Sequence, residues 1–283
     1  MSFDWSVPSP LAYFAALVQS DEQLPLLEAA VSLAQDEVPD LDVLQVLTDI
    51  DRLVLRLQRR VDRRASVLQR LHGLREFFFG ELGFAGNVND YHDPGNSFLH
   101  VVLRTRRGIP ISLALLWLEL ARGLGLRAEG VGFPGHFLVQ AYVGAGRVVI
   151  DPFTGESLGA AELRQRLEEW APWRLDPEHG ELPLALFLEA ATPRQILARM
   201  LGNLQHIYRG QQDWPRLVRV QDRLITLLPR AWAEYRERGL ALARLGERKR
   251  ARADLECYLS EVTAAHDRAS VQRRLEELGG AGT

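Results

Sequence analysis

The chain has 283 residues, of which 47% are hydrophobic and 25% are charged, and its formal net charge is −3. This composition is ordinary for a globular protein with a sizeable core, and it excludes collagen-like and low-complexity chains. A single cysteine, Cys257, rules out an internal disulfide bond and a cysteine-based zinc site. We predict no metal site and no cofactor.

Two features of the sequence bear on the membrane. The amino terminus carries Asp4 and no early positive charge, which is unlike a secretory signal. The most apolar stretch, residues 109–121, is too short to span a bilayer and includes Ser112 and Glu119. We therefore expect a cytoplasmic protein that has no membrane contact.

Charge is unevenly distributed along the chain. Residues 194–252 carry 14 basic and 5 acidic side chains, a net charge of +9, whereas residues 1–83, 84–193 and 253–283 are each net acidic. Such a segment is either a solvated helical face or a surface for an acidic partner. Nucleic-acid binding is not favoured, because few aromatic residues are interleaved with the basic ones and no recognition motif is present.

The first 83 residues read as successive helices. Ser9 and Pro10 form a start signal, since serine caps free amides and proline suits the first helical position. Apolar residues at helical spacing follow over 24–33, and Asp40 is expected to cap the next helix. A further helix is predicted over 66–82.

The central part of the chain changes character. Residues 84–100 are rich in glycine, asparagine and aspartate and indicate a loop. An apolar helix is predicted from about residue 112 to Leu124, and Gly125 ends it. Short turns then separate three β-rich runs, at 128–133, 136–142 and 148–150. Turns this short join antiparallel strands, so an α+β arrangement is predicted.

From about residue 191 the pattern is helical again and it repeats. Asp213-Trp214 and Glu247-Arg248 open similar segments 34 residues apart, which is the period of a tetratricopeptide repeat. The sequence therefore predicts a helix-rich α+β protein in three parts. These are an amino-terminal helical region at 1–83, an α+β core at 84–190 and repeat-like helices at 191–283.

Three polar residues stand out in apolar surroundings. Ser112 opens the apolar helix, His136 opens a predicted strand 24 residues later, and Asp151 ends the next strand after a further 15 residues. Neighbouring antiparallel strands can place His136 beside Asp151, and a helix packed on the sheet can present Ser112 to the imidazole. That order supplies a nucleophile, a base and an orienting carboxylate, so we predict that the three side chains cluster.

Each of these residues also has a structural interpretation. A serine at a helix start can cap free amides, and a histidine in a strand can be a satisfied core residue. Asp151 precedes a proline and can form a turn. Asn96 and Gly135 are further candidates for the lining of a pocket.

Three segments carry a family resemblance: GIPISLALLWLELARGLGL (108–126), VGFPGHFLVQ (131–140) and VVIDPFTG (148–155). They resemble the bacterial SirB-one family, the SirB-type proteins of the transglutaminase-like superfamily, and the resemblance covers most of the chain. It implies a transglutaminase-like (papain-like) core with a small antiparallel sheet, flanked by amino-terminal helices and tetratricopeptide-like helices. Members of the superfamily usually carry a Cys–His–Asp triad, and Ser112, His136 and Asp151 match its positions. The superfamily implies acyl-transfer or protease-like chemistry.

A serine at this position changes the chemistry that the site can perform. Surroundings that ionise a thiol leave the more basic hydroxyl neutral, so Ser112 would need concerted proton removal and an oxyanion hole. We favour a non-enzymatic or regulatory interaction protein that binds a protein partner through its carboxy-terminal repeats. The alternative is a serine-dependent hydrolase or acyltransferase that acts on an amide or ester through Ser112, His136 and Asp151.

Overall fold

The computed structural model describes residues 8–62, 64–170, 183–263 and 266–279. The chain divides into two compact units. The first, here called the repeat unit, comprises Met1–Pro25 and Leu197–Thr283, and the second, the core unit, comprises Leu26–Ile196. The three consecutive parts expected from the sequence, 1–83, 84–190 and 191–283, stay a prediction about domain boundaries.

Helices dominate both units, as the sequence predicts. They begin at residues that satisfy free backbone amides or that suit the first turn. In chain order the α-helices are α1 (Pro10–Leu17), α2 (Leu26–Ser32), α3 (Val43–Arg60), α4 (Val67–Arg75), α5 (Leu99–Thr105), α6 (Pro110–Gly123), α7 (Ala160–Trp170), α8 (Pro193–Gly210), α9 (Trp214–Leu227), α10 (Trp232–Arg244), α11 (Arg248–Glu261) and α12 (Arg268–Gly279).

The helix starts match the sequence prediction in one case and correct it in another. The start signal at Ser9 is confirmed, because its Oγ accepts a hydrogen bond from the Ala12 amide at 3.2 Å. The expected cap at Asp40 is wrong. Asp42 caps α3 instead, accepting from the Gln45 amide at 2.9 Å, because only a carboxylate one residue before the helix reaches that amide.

The helix predicted over 66–82 is present but is not uniform. Ser66 and Gln69 form a capping box at its start, and α4 then ends at Arg75. The chain continues as a π-helical turn, Glu76–Glu81, which buries Phe77 and Phe78. Such a turn widens the helix by one residue, so a 3.6-residue periodicity does not reveal it.

A four-stranded antiparallel sheet follows α6, and it confirms the predicted meander. Its strands are adjacent in chain order, and β4 pairs with β5 so that Val139 lies opposite Ile150. A separate parallel pair of short strands precedes the sheet in the chain. The strands are β1 (Ala85–Gly86), β2 (Arg107–Gly108), β3 (Ala128–Val131), β4 (Leu138–Val143), β5 (Gly146–Ile150) and β6 (Ser157–Leu158).

The core of the core unit lies on both faces of this sheet. Helix α6 contacts α3 as well as β3 and β4, and Trp117 and Leu120 of α6 are fully buried. Close approach to α3 requires Gly123, because a Cβ there would lie 2.3 Å from a methyl carbon of Val54. The opposite face is covered by an apolar cluster that contains Val131, Phe133, Leu138, Val149, Leu163, Leu167, Phe187 and Leu188.

The repeat unit is a succession of paired helices. Each of α9, α10 and α11 contacts the next helix in the chain, and α1 packs against α9. Helices α10 and α11 approach closely at Gly239, where a Cβ would lie 2.8 Å from Leu255. The predicted repeat-like helices at the carboxy-terminal end are therefore confirmed.

A helix that crosses a bilayer must be both long and apolar. Within the described residues, no helix combines the length and the apolar character needed to cross a bilayer.

Candidate functional site

The hydroxyl of Ser112 lies in the first turn of α6. The side chain is fully buried, and the hydroxyl oxygen lies 2.6 Å from the Asn96 carbonyl and 3.0 Å from the Ile109 carbonyl. It also accepts a hydrogen bond from the Ile109 amide at 3.2 Å. A hydroxyl has one proton, and the Asn96 carbonyl is the nearer of its two acceptors.

The space for this hydroxyl depends on Gly108. A Cβ at that position would lie 2.7 Å from the Ser112 oxygen, closer than real Cβ atoms come. Gly108 belongs to β2 and precedes the helix start by two residues. Gly108 thus leaves room for the Ser112 hydroxyl, Ile109 occupies the N-cap position, and Pro110 is the first residue of α6.

His136 and Asp151 meet at the edge of the sheet. The His136 Nε2 atom lies 2.8 Å from Asp151 Oδ1, and the two side chains are only 13% and 3% exposed. The β4–β5 register opposes Val139 to Ile150, so the residues that flank the two strands at this end come together. Sequence reasoning placed His136 in the strand, but it lies in the turn before β4.

That turn explains the position of His136. Gly135 has a φ of +70°, which favours glycine, and the His136 amide donates to the Phe133 carbonyl at 3.1 Å. A residue in such a closed turn cannot pair in the ladder, so the strand starts two residues later. Gly135 therefore orients the imidazole through the backbone.

Arg166 of α7 is a third member of this network, and the sequence analysis missed it. Its guanidinium donates to Asp151 Oδ2 at 2.8 Å, and its side chain is 19% exposed. The helical pattern places Arg166 near the buried side of α7, because it lies one turn after Leu163 and next to Leu167, and both leucines are buried. Arginines at helix surfaces are usually solvated, so this pattern alone did not single it out.

The charge of Asp151 is set by these partners. Burial by itself would raise the pKa of the Asp151 carboxyl, because it disfavours the charged form. Hydrogen bonding and attraction by His136, together with hydrogen bonds from Arg166 and the Phe153 amide, outweigh burial and hold the pKa below its ordinary value of 3.8. The carboxylate is therefore ionised at neutral pH and can orient His136.

Two aromatic rings extend from the His136 ring toward solvent. The Phe153 ring centroid lies 6.4 Å from that of His136 in a T-shaped arrangement, and Tyr91 lies 5.9 Å from Phe153. Tyr91 is the outer member and is 43% exposed. Gly86 makes room for Phe153, since a Cβ there would lie 2.3 Å from that ring.

Asn96 connects the loop at 87–93 to the start of α6. Its side-chain amide donates to the carbonyls of Asp90 and Tyr91 at 2.6 and 3.2 Å, and its side-chain oxygen accepts from Asn87 at 3.0 Å. Its main-chain carbonyl is the one that accepts from Ser112. Asn96 is 3% exposed, and these contacts give it a structural task.

Two groups of hydrogen bonds in the core unit contain the predicted site residues. One joins Ser112 to main-chain atoms of Asn96 and Ile109, and the other joins His136, Asp151 and Arg166. The triad-like cluster of Ser112 with His136 and Asp151 stays a prediction. Within the described part of the chain, no three His, Cys, Asp or Glu side chains are grouped so as to hold a metal ion.

The comparison with known proteins agrees with this architecture. A family model described as the transglutaminase-like superfamily matches residues 44–202, and a tetratricopeptide-repeat model matches residues 204–276. A UPF0162 protein of Xylella fastidiosa is 39% identical over 91% of each chain.

More distant relatives cover the chain to different extents. A UPF0162 protein of Pseudomonas aeruginosa is 31% identical over 92% of this chain and 93% of its own. Human F-box only protein 21 is 31% identical over 67% of this chain and 33% of its own. No solved structure matches. The resemblance stated from the sequence is confirmed, and the chain belongs to the SirB-type UPF0162 family of the transglutaminase-like superfamily, with tetratricopeptide repeats at its carboxy-terminal end.

Proposed function

We propose that the chain is a regulatory interaction protein, and that its transglutaminase-like unit does not catalyse acyl transfer. Serine takes the place of the nucleophilic cysteine in this proposal. The observation that carries it is the surroundings of the Ser112 hydroxyl, which is fully buried and has main-chain acceptors for its proton, the nearest being the Asn96 carbonyl at 2.6 Å. A nucleophilic serine needs a base at that proton instead.

Activating Ser112 would have a free-energy cost in this setting. The side chain would have to rotate away from the Asn96 carbonyl and lose that hydrogen bond, at a cost of about 0.5–1.5 kcal/mol. The same rotation would withdraw the nearer of the two acceptors of the Ile109 amide, the other being the Asn96 carbonyl at 3.4 Å. The hydroxyl therefore stabilises the junction of α6 with the loop before it.

The partner in this proposal is a protein, and the carboxy-terminal repeats bind it. Tetratricopeptide helices stack into extended concave surfaces, and such surfaces suit protein binding. The net charge of +9 over residues 194–252 favours an acidic partner surface. Human F-box only protein 21 matches this chain over one third of its own length, which suits a module that works within larger proteins.

Affinity capture of the full chain after cross-linking in cells tests this proposal. We expect the same partner proteins from the wild type, Ser112→Ala and His136→Ala, because neither side chain belongs to the repeats. Substitutions on the repeat surface should remove those partners. Partners that are lost with Ser112→Ala and His136→Ala but kept with repeat variants would contradict the proposal.

The second candidate is a serine-dependent hydrolase or acyltransferase, and the His136–Asp151 pair favours it. Asp151 binds Nε2, so the proton of Ser112 would pass to Nδ1 while the serine oxygen attacks an amide or ester carbonyl. The imidazolium would then protonate the leaving amine or alcohol, and water or another acceptor would release the acyl group. Turnover of a chromogenic ester that both Ser112→Ala and His136→Ala abolish would favour this candidate.

A further inference from the structure

A groove in the repeat unit is lined by residues of α8, α9, α10 and α12. Its volume is 440 Å³, within the range of about 300–1,000 Å³ that is common for ligand-binding clefts. Trp214, Leu217, Leu240 and Ala241 provide an apolar floor. The walls are polar, and Arg209, Arg244 and Arg274 are the basic members.

The groove is positively charged. Three arginines oppose one acidic lining residue, Glu237, which leaves a net charge of +2. Glu237 is already shared, because both Arg209 and Arg236 bind it, at 2.7 and 2.6 Å. The carboxylate that pairs with Arg274 is that of Glu277, which is 63% exposed and therefore weakly held.

Arg244 joins the charged wall to the apolar floor. Its guanidinium carbon lies 5.9 Å from the centroid of the half-buried Trp214 ring, a cation–π distance. Stacking of this kind limits the motion of the side chain while its N–H groups stay available to solvent. A guanidinium held in this way is suited to a bidentate bond with a carboxylate.

We infer that this groove binds an acidic peptide segment of the partner protein. An apolar side chain of the peptide packs on Trp214 and Leu240, and carboxylates on either side of it bind Arg244 and Arg274. Charge complementarity selects the acidic peptide, and the apolar floor selects the residue between the carboxylates. The inference rests on the proposed interaction function and adds the site and the partner chemistry.

Selection of random decapeptides on the immobilised full chain tests the inference. We expect the selected peptides to combine aspartate or glutamate with leucine or an aromatic residue. Replacing their acidic residues by the corresponding amides should weaken binding at least about tenfold, measured by fluorescence anisotropy. Binding should also weaken as salt increases, because the attraction is electrostatic.

Variants of the full chain connect that binding to the groove. Arg244→Glu should lower the affinity for the selected peptides at least about tenfold. Arg244→Lys should lower the affinity less, since lysine keeps the charge and loses the bidentate geometry. Arg252→Glu on α11 is the control. Arg252 pairs with Glu256 outside the groove, so this substitution should leave the affinity for the selected peptides unchanged. Circular dichroism establishes that each variant is folded.

Several outcomes would overturn the inference. They are a selection that yields no binder, binders without acidic residues, and binding that survives Arg244→Glu. Arg244-dependent binding of a generic DNA duplex would assign the groove to nucleic acid, and Arg244-dependent self-association would assign it to a second copy of the chain. If cross-linked partners persist with Arg244→Glu, the interaction function stands and the groove is not its site.

Discussion

At the scale of single residues, two buried serines in one part of the core unit have opposite hydrogen bonding. The hydroxyl of Ser112 contacts Asn96 and Ile109, whereas the hydroxyl of Ser97, which is also buried, has no hydrogen-bond partner among the residues that the structure describes. A buried polar group stabilises a protein only when it is paired. The two positions therefore form a matched pair for substitution.

Ser112→Ala should lower the free energy of unfolding of the core unit by about 0.5–1.5 kcal/mol, because it removes the hydrogen bond between the buried hydroxyl and the Asn96 carbonyl. Ser97→Ala should have little effect or be stabilising, since it removes an unpaired hydroxyl. Denaturant titration followed by circular dichroism measures both changes. Equal losses in the two variants would show that the Ser112 hydrogen bonds contribute nothing specific.

Asp151 gives a prediction about pH. Its pKa is lowered in the folded chain, so its stabilising contribution is complete above the ordinary value of 3.8 and is lost as the pH falls through the lower folded pKa. Asp151→Asn should therefore cost about 3 kcal/mol at neutral pH, because it breaks a buried pair. The difference from the wild type should shrink below a pH of about 4, as measured by denaturant titration across pH. A difference that does not change with pH would contradict this role.

At the scale of elements, hydrophobic periodicity predicted the helices and the meander. Apolar residues recur every three to four positions in an amphipathic helix and every second position in a half-buried strand, so the sequence alone reveals both. Local details depended on three-dimensional geometry. Of the two aspartates before α3, only Asp42 reaches a free amide, and the turn closed at Gly135 delays the start of β4. Arg166 was missed because its partner, Asp151, is distant in sequence from α7 and near only after folding.

Arg238 holds three helices of the repeat unit together. It lies on α10 and binds Asp222 of α9 at 2.7 Å and Asp254 of α11 at 2.7 Å, the latter through two nitrogens. Arg238→Met should cost about 3–5 kcal/mol, because it leaves two partly buried carboxylates without their cation. Burial raises the pKa of the Asp222 carboxyl despite Arg238, which fits a site where an unpaired charge is disfavoured.

Thermal unfolding of the Arg238→Met variant measures this cost. Adding Asp222→Asn and Asp254→Asn to that variant should recover part of the loss, since the buried charges are then removed. A triple variant as unstable as Arg238→Met alone would mean that the arginine acts through packing and not through charge.

Two helical glycines test the close contact between α10 and α11. Gly239→Ala should destabilise the repeat unit, because its Cβ would lie 2.8 Å from Leu255 and 3.1 Å from the Ala251 carbonyl. A Cβ at Gly202 in α8 would meet no described atom within 4 Å, so Gly202→Ala should stabilise the chain by about 0.5–1 kcal/mol, as expected for helix propensity. Thermal melts of the two variants should shift in opposite directions. A shift in the same direction would refute the packing role of Gly239.

At the scale of the whole molecule, the family and the α+β architecture were predictable because the segments around Ser112, His136 and Asp151 are specific in sequence. The 34-residue period was enough to predict the repeats. The chemistry of Ser112 was not predictable in the same way. Residue type and spacing predict candidates for a nucleophile, a base and a carboxylate. They do not predict which hydrogen-bond acceptor the fold brings nearest to the serine hydroxyl.

The proposed function requires that the Ser112 hydroxyl is not an activated nucleophile. Labelling of the full chain with a fluorophosphonate, read out by intact mass, tests this requirement, with Ser112→Ala, His136→Ala and Ser97→Ala as variants. We predict that the folded wild type stays unlabelled while a serine hydrolase in the same tube is labelled. Labelling of the wild type that persists in Ser97→Ala and disappears in Ser112→Ala and His136→Ala would contradict the proposed function and establish Ser112 as an activated nucleophile.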